Sequence, residues 1–348
     1  MKRGLHNILV HLCRLLRRNR SIDPSTIACI EVNRLGDVIV LLAVLPAIRS
    51  KYPSSKLVVA VMEEYADLAR SLGVMDVVIP LRGRKFTAAI AALRREKPTI
   101  ACSMSPSTRN TILALSSSRQ TVGYLAPPKS LPGFFDESET SGIGVEVSAG
   151  KYHDANIYKR GMLICELLGT GEVGIGETPL SHRMTGRGGE RGAIVIHPGA
   201  YWFYRRWPVN SWRGLMGKIR LNGDVKIICI GGSADNMLLK EVSEGFDCVE
   251  VRVGEIFLNL VEILRNARLF VGNDSGPLHL AANMGIPVIG LYGPASPALS
   301  APLHTGGEFL YRKVECSPCP QEICIRPHAH CMTGISIDEV YERIKPYL

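Results

Sequence analysis

Three short stretches of this sequence combine charged side chains with glycine in a way that suits work on a phosphorylated substrate. The first is Arg34-Leu35-Gly36-Asp37, which follows an apolar run and precedes a helical pattern. Gly36 allows a tight turn between them. Asp37 either caps the helix or, at the carboxyl end of a strand, acts as general base toward an acceptor hydroxyl. The pattern alone leaves both interpretations open.

The second stretch is His197-Pro198-Gly199-Ala200, continued by an aromatic run that contains Arg205 and Arg206. A glycine turn followed by two arginines can bind a diphosphate through backbone N–H groups and a guanidinium fork. The alternative is an aromatic loop with a solvated basic face. Spacing does not choose between these two interpretations.

The third stretch, Asn273-Asp274-Ser275-Gly276-Pro277-Leu278-His279, ends one apolar run and opens a helix. Asp274 or Ser275 is the predicted cap, and Pro277 suits the first turn. The unpaired N–H groups at such a helix start bind phosphate readily. For His279 taken by itself, packing in the core is the more common role, and a position facing the cleft is the alternative.

A fourth group lies near the end of the chain, where four cysteines and two histidines occur within a short segment. Thiols at this density can hold Zn²⁺ or an iron–sulfur cluster, although the spacing differs from that of a zinc ribbon. Disulfides and free thiols are the alternatives. The other six cysteines are scattered singly, which favours a reducing compartment. The clustered residues are Cys316, Cys319, Cys324, His328, His330 and Cys331.

The elements that position these stretches alternate between short apolar runs and amphipathic segments. This βα rhythm predicts two doubly wound α/β domains in tandem, each with a parallel sheet, and a ligand cleft between them. We interpret the Ser-, Pro- and Gly-rich stretch from Ser103 to Ser148 as an irregular binding loop or surface insertion. The predicted layout is a basic segment at 1–25, a first domain at 26–170, a linker at 171–191, a second domain at 192–335 and a final helix at 336–348.

Charge indicates the kind of partner. The net charge of +9 suits a phosphorylated substrate or an anionic membrane, whereas an aromatic content of only 6% argues against nucleic acid. The first 25 residues form a basic amphipathic pattern without a cleavage site. We expect this helix to lie on an anionic membrane surface or to pack on its own domain. No apolar run reaches the roughly 18–20 residues that span a bilayer.

Taken in order, the first three stretches and the cysteine segment resemble glycosyltransferase family 9, the lipopolysaccharide heptosyltransferases, over roughly residues 26–346. The resemblance implies a GT-B fold of two Rossmann-like domains facing across a cleft. It implies an ADP-heptose donor, a lipid A–core acceptor at the cytoplasmic face of the inner membrane, and inversion in one displacement. It also implies that neither a metal nor another cofactor takes part.

Site residues follow from the same resemblance, position by position. Asp37 matches the general base, and Arg205 stands where the family usually has a lysine that contacts donor phosphate. Arginine keeps the charge but has a different geometry. We expect the acceptor at Arg34, Gly36 and Arg109. The remaining donor contacts are expected at Gly199, Tyr201, Asp235, Asn236, Asp274, Ser275, Gly276 and His279.

Two other functions are compatible with the same motifs. One is a GT-B glycosyltransferase that uses a different nucleotide sugar, which donor competition would distinguish. The other is a binding protein with a degenerate site. The arginine at position 205, where the family usually has lysine, favours this alternative, whereas the retained Asp37 argues against it.

Overall fold

A computed structural model describes the chain in two parallel α/β domains. The described residues are 24–83, 86–105, 107–118, 120–123, 156–170, 192–222, 224–303, 306–319, 321, 323–326 and 330–348. Most of the basic N-terminal segment, the centre of the Ser-, Pro- and Gly-rich stretch, the predicted linker and His328 lie outside these residues. No helix among the described residues has the length and apolarity to cross a membrane.

The first sheet has five parallel strands in the order β3-β2-β1-β4-β5. Its direction of winding changes between β1 and β4, so a crevice opens beyond the carboxyl ends of these two strands. The strands are β1 (Thr26–Glu31), β2 (Lys56–Met62), β3 (Val77–Leu81), β4 (Ile100–Ser103) and β5 (Thr121–Gly123). The helices are α1 (Leu35–Lys51), α2 (Ala66–Leu72), α3 (Phe86–Arg95), α4 (Thr108–Ser117) and α5 (Ile157–Leu167).

The second sheet has six strands in the order β11-β10-β9-β6-β7-β8, with its change of direction between β6 and β9. The strands are β6 (Ala193–His197), β7 (Ile227–Gly231), β8 (Val249–Val253), β9 (Ala267–Asn273), β10 (Val288–Tyr292) and β11 (Gly307–Tyr311). The helices are α6 (Val209–Asn222), α7 (Asn236–Ser243), α8 (Phe257–Arg265), α9 (Gly276–Asn283), α10 (Pro297–Ser300), α11 (His330–Thr333) and α12 (Ile337–Ile344). Both sheets lie within the predicted domain ranges.

The two domains meet at helix α1, which is apolar around its whole circumference. Every residue from Val38 to Leu45 is buried. A helix of this kind must be covered on all sides. One side of α1 packs on the first sheet, a second side contacts α5, and a third side contacts α9 of the second domain. Apolar residues of both domains therefore form one continuous core.

This contact is tightest where the first turns of α1 and α9 meet. A Cβ on Gly276 would lie 2.8 Å from Leu35 Cβ, closer than real Cβ atoms approach. We therefore expect Gly276→Ala to lower the free energy of unfolding by about 1–3 kcal/mol through overpacking. Thermal unfolding measures this loss. Gly217→Ala is the matched control, because its Cβ would meet nothing within 4 Å; equal melting temperatures for the two variants would contradict the tight contact.

Three details of the sequence interpretation were wrong. The stretch from Ser103 to Ser148 is not irregular throughout, because it contains α4, capped by the Ser107 side chain, and the short edge strand β5. Strand β8 was not predicted, since its charged residues obscure an edge strand. Asp37 is not the helix cap: Arg34 occupies that position, and Asp37 is the third residue of α1.

The last helix was predicted as a separate element, and the structure shows where it packs. Helix α12 lies on α6 of the second domain. Its apolar residues Val340, Tyr341 and Ile344 are buried in the core of that domain. The capping box between Ser336 and Glu339 fixes where the helix begins.

Candidate functional site

The β1–α1 turn brings Asp37 to the edge of the first domain that faces the second. The Asp37 carboxylate accepts a hydrogen bond from the Arg34 backbone N–H. Burial raises the pKa of Asp37, and the hydrogen bond from Arg34 together with the positive charges of Arg34 and Arg160 only partly opposes this. A carboxylate with a raised pKa is a stronger base than an exposed aspartate, as proton abstraction requires.

The N-terminus of α9 faces the site from the second domain. Ser275 is its cap residue, but among the described residues no side chain caps the helix. The Ser275 hydroxyl instead pairs with His197 Nδ1 at 3.1 Å. Burial lowers the pKa of His197 to about 4, so this imidazole is neutral near pH 7. The first N–H groups of α9 therefore retain their partial positive charge for an anion.

Beside this helix start, Arg205 is held on two sides. Its Nη1 lies 2.9 Å from Asp274 Oδ2, and its Nε donates to Gln321 Oε1. Burial alone would raise the pKa of Asp274, but the charges of Arg205 and His279 lower it below its usual value. Asp274 is thus an anion that fixes the cation, and Nη2 of Arg205 has no partner among the described residues. This nitrogen can donate to a phosphate.

His279 connects the two halves of the site. Its Nε2 lies 3.8 Å from Asp274 Oδ1, and its Nδ1 lies 3.2 Å from the Tyr158 hydroxyl of the first domain. Its Cδ2 is 3.4 Å from the position a Cβ on Gly36 would take. Asp37, His279, Asp274 and Arg205 therefore follow one another across the domain boundary.

A second contact crosses the boundary at the mouth of the site. The Arg34 guanidinium lies 4.0 Å from the centre of the Tyr201 ring and 5.4 Å from that of Trp202. Both Arg34 and Tyr201 are exposed, so the contact is a weak cation–π pair in water. It joins a predicted acceptor residue to a predicted donor residue.

The remaining predicted residues lie at different depths. The Asp235 carboxylate lies against Gly199, pairs with Arg206 Nη2 at 3.2 Å, and accepts from the Gly232 N–H. Asn236 is exposed at the start of α7. Arg109 is half-buried in the first turn of α4. The structure thus brings Asp235 to the glycine turn and leaves Asn236 at its rim.

The cysteine segment packs against the loop that follows β10 in the second domain. The Cys319 N–H donates to the Pro294 carbonyl, and Cys331 packs against Gly293. Burial, with the neighbouring thiols at Cys319, Cys316 and Cys324, raises the pKa of Cys331 to about 11. All four thiols of the segment are free. Among the described residues, no three of the His, Cys, Asp and Glu side chains are placed to hold a metal ion.

Residues 170–330, which include the second-domain part of this site, match the family model described as glycosyltransferase family 9 (heptosyltransferase). The match covers less than half of the chain and supports the predicted resemblance to glycosyltransferase family 9. Lipooligosaccharide heptosyltransferase 2 of Campylobacter jejuni is 24% identical over 162 residues, 44% of this chain and 50% of that protein. The chain thus matches at most about half the length of this relative.

Solved structures of a family 9 glycosyl transferase and of a heptosyltransferase share the fold. That of the glycosyl transferase family 9 protein from Veillonella parvula superposes with a TM-score of 0.73 at 19% identity, over 94% of this chain and 98% of that one. E. coli ADP-heptose LPS heptosyltransferase II gives a TM-score of 0.70 at 17% identity, over 92% and 98%. The predicted GT-B architecture is confirmed.

One structural neighbour bears on metals. TibC from enterotoxigenic E. coli, described as an iron-containing dodecameric glycosyltransferase, superposes with a TM-score of 0.59 at 15% identity, over 93% of this chain and 76% of that one. Iron is stated of that protein. For the present chain, metal independence stays a prediction.

Two site residues have no counterpart in the motif analysis. Gln321 lies between the cysteines in a left-handed backbone conformation, with φ +71°. Tyr158 lies in a helical stretch and pairs with His279 across the domain boundary. The strained backbone at Gln321 becomes visible only in three dimensions, and the partner of Tyr158 lies more than a hundred positions away.

Proposed function

We propose that this protein transfers heptose from ADP-heptose to the inner core of a lipopolysaccharide, with inversion at the anomeric carbon and Asp37 as general base. The observation that carries the proposal is the continuous series Asp37, His279, Asp274 and Arg205 across the domain boundary. In this series, a carboxylate of one domain lies opposite a pocket of the other that is formed by the Arg205 guanidinium and the N-terminus of α9. A single displacement needs these two functions on opposite sides of one anomeric carbon.

The donor diphosphate is proposed to bind between Arg205 and the N-terminus of α9. As the glycosidic bond breaks, negative charge develops on the distal phosphate of the leaving ADP. A guanidinium and preorganised N–H groups stabilise that charge without rearrangement. Support for an adenine nucleotide donor comes from E. coli ADP-heptose LPS heptosyltransferase II, which shares the fold. Asp235, against the glycine turn, is the residue proposed nearest the nucleoside.

The acceptor is proposed to approach from the first domain. Its hydroxyl donates a proton to Asp37 as the new bond forms, and the ADP oxygen leaves on the opposite side. Arg34, and Arg109 on α4, supply positive charge toward a phosphorylated core. The contact of α1 with α9 aligns the two reactants and excludes water, which would otherwise hydrolyse the donor.

The setting proposed for the reaction is the cytoplasmic face of the inner membrane. The net charge of +9 favours association with anionic lipids. The basic N-terminal segment at 1–25, most of which lies outside the described residues, is the proposed membrane contact. Vesicle binding with and without this segment would test it separately from catalysis.

The experiment that tests the function is direct transfer. The full chain is incubated with ADP-heptose and core-truncated lipid A acceptors, and the products are weighed by mass spectrometry. We expect the acceptor to gain the mass of one heptosyl residue, which is heptose less one water, and a UDP-sugar to compete poorly for binding. Transfer from a UDP-sugar but not from ADP-heptose would reject ADP-heptose as the donor. No transfer from any nucleotide sugar, with donor still bound, would favour a binding protein.

A further inference from the structure

Glu31, the last residue of β1, is a buried carboxyl group, and among the described residues no cationic side chain contacts it. Only 1% of the residue is exposed. Buried glutamates are rare unless they are paired. Its oxygens accept hydrogen bonds from neutral groups: the Asn33 N–H at 3.1 Å, Asn33 Nδ2 at 2.7 Å and Asn110 Nδ2 at 3.2 Å. The reaction proposed above gives this carboxyl no role.

These hydrogen bonds belong to a network that encloses the β1–α1 turn. Asn110 Oδ1, on α4, accepts the Val32 N–H at 3.0 Å. Ser105 Oγ accepts from Asn33 Nδ2 at 2.6 Å and from Asn110 Nδ2 at 3.0 Å. Strand β1, the turn and α4 are therefore joined through one carboxyl group. The turn that they hold carries Arg34 and Asp37.

Glu31 also interacts electrostatically with the proposed base. Burial, followed by the charge of Asp37, raises the pKa of Glu31 to about 8, against the hydrogen bonds of the network. Arg34, Arg160 and His279 act on Asp37 from the turn, from α5 and from α9. The Tyr65 hydroxyl also lies within range of the Asp37 charge. Because both carboxyls belong to one hydrogen-bonded turn and the charge of Asp37 acts on Glu31, the ionisation of one affects that of the other.

We propose that Glu31 is a positioning residue for Asp37, which fixes the turn that presents the base and strengthens that base by its own negative charge. The inference rests on the proposed function, because it assigns Asp37 as the base. The coupling is reciprocal: if Asp37 makes Glu31 harder to ionise, ionised Glu31 makes Asp37 bind a proton more tightly. A stronger base takes the acceptor proton more readily.

The first test compares the pH dependence of kcat/KM for the full-length wild type and Glu31→Gln. We expect the wild type to show a further rise near pH 8 above its acid limb, because ionisation of Glu31 strengthens the base. The variant should lose this rise, with a kcat about ten-fold lower at pH 8.5 and unchanged affinity for ADP-heptose. Glu241→Gln, on an exposed turn of α7, is the matched control and should keep the wild-type profile. Superimposable profiles for wild type and Glu31→Gln would overturn the inference.

The second test does not depend on activity. In full-length protein with ¹³C-labelled glutamate side chains, one carboxyl resonance should titrate near pH 8, and it should move to lower pH in Asp37→Asn. This measurement decides the coupling even if Glu31→Gln does not fold. A spectrum with no such resonance, or one unmoved by Asp37→Asn, would overturn it. A wild type that transfers no sugar would instead reject the proposed function, with the coupling judged by the titration.

Discussion

Asp37→Asn is expected to lower kcat by about 10²–10⁴-fold while the dissociation constant for ADP-heptose stays unchanged. The substitution keeps the size of the side chain and its place in the first turn of α1, but an amide cannot take the acceptor proton. Donor affinity should survive because the proposed diphosphate contacts lie on Arg205 and α9 of the other domain. Single-turnover transfer and donor titration by calorimetry measure the two quantities.

The pH dependence of the wild type follows from the same assignment. A general base must be ionised to act, so activity is present above the pKa of Asp37 and is lost as the pH falls through it. Because burial raises that pKa, the acid limb should lie above the range of an exposed aspartate. Asp67→Asn, on the exposed surface of α2, is the control. A normal kcat in Asp37→Asn would remove the general-base role.

Arg205→Ala is expected to raise the dissociation constant for ADP-heptose about ten-fold and to lower kcat about 10²–10³-fold. Removing a preorganised hydrogen-bond donor that stabilises the negative charge of the transition state has effects of this size. Both parameters should change, since the guanidinium contacts the phosphate in the ground state and more strongly in the transition state. Calorimetry and steady-state kinetics separate the two effects.

The same substitution is also expected to lower the free energy of unfolding. Arg205 is 19% exposed and its partner Asp274 only 3%, so the variant leaves a buried carboxylate without its cation. Breaking such a pair costs roughly 3–5 kcal/mol. Arg205→Lys keeps the charge and should recover stability and part of the donor affinity. Arg252→Ala, at an exposed pair on β8, is the control. Normal donor affinity and rate in Arg205→Ala would contradict the phosphate role.

The parts of the site that could be predicted from the sequence lie directly after strands. Asp37 follows β1, Arg205 lies in the loop after β6, and Ser275 follows β9. In a doubly wound sheet, the turns beside the change of strand order face one crevice, so local motifs already place these residues together. The pattern that follows Gly36 likewise predicted a helix at the position of α1. These inferences needed only neighbouring residues and the βα rhythm.

The features of the site that could not be predicted from the sequence depend on contacts between residues far apart in the chain. The pairs Tyr158–His279 and Arg34–Tyr201 join residues of different domains, and no spacing rule connects them. Strand β5 has three residues, too few for a periodic signal. The raised pKa of Glu31 depends on its burial beneath the turn and on the position of Asp37. Such features appear only when the two sheets and their connecting helices are assembled.

The central claim is that Asp37 and the pocket of Arg205 and Ser275 act on opposite sides of one anomeric carbon. A crystal structure of the protein with an unreactive ADP-heptose analogue tests it most directly. The account predicts that the diphosphate contacts Arg205 and the first N–H groups of α9, and that the anomeric carbon faces Asp37 with room for one acceptor hydroxyl between them. A diphosphate bound elsewhere, or a sugar turned away from Asp37, would contradict it.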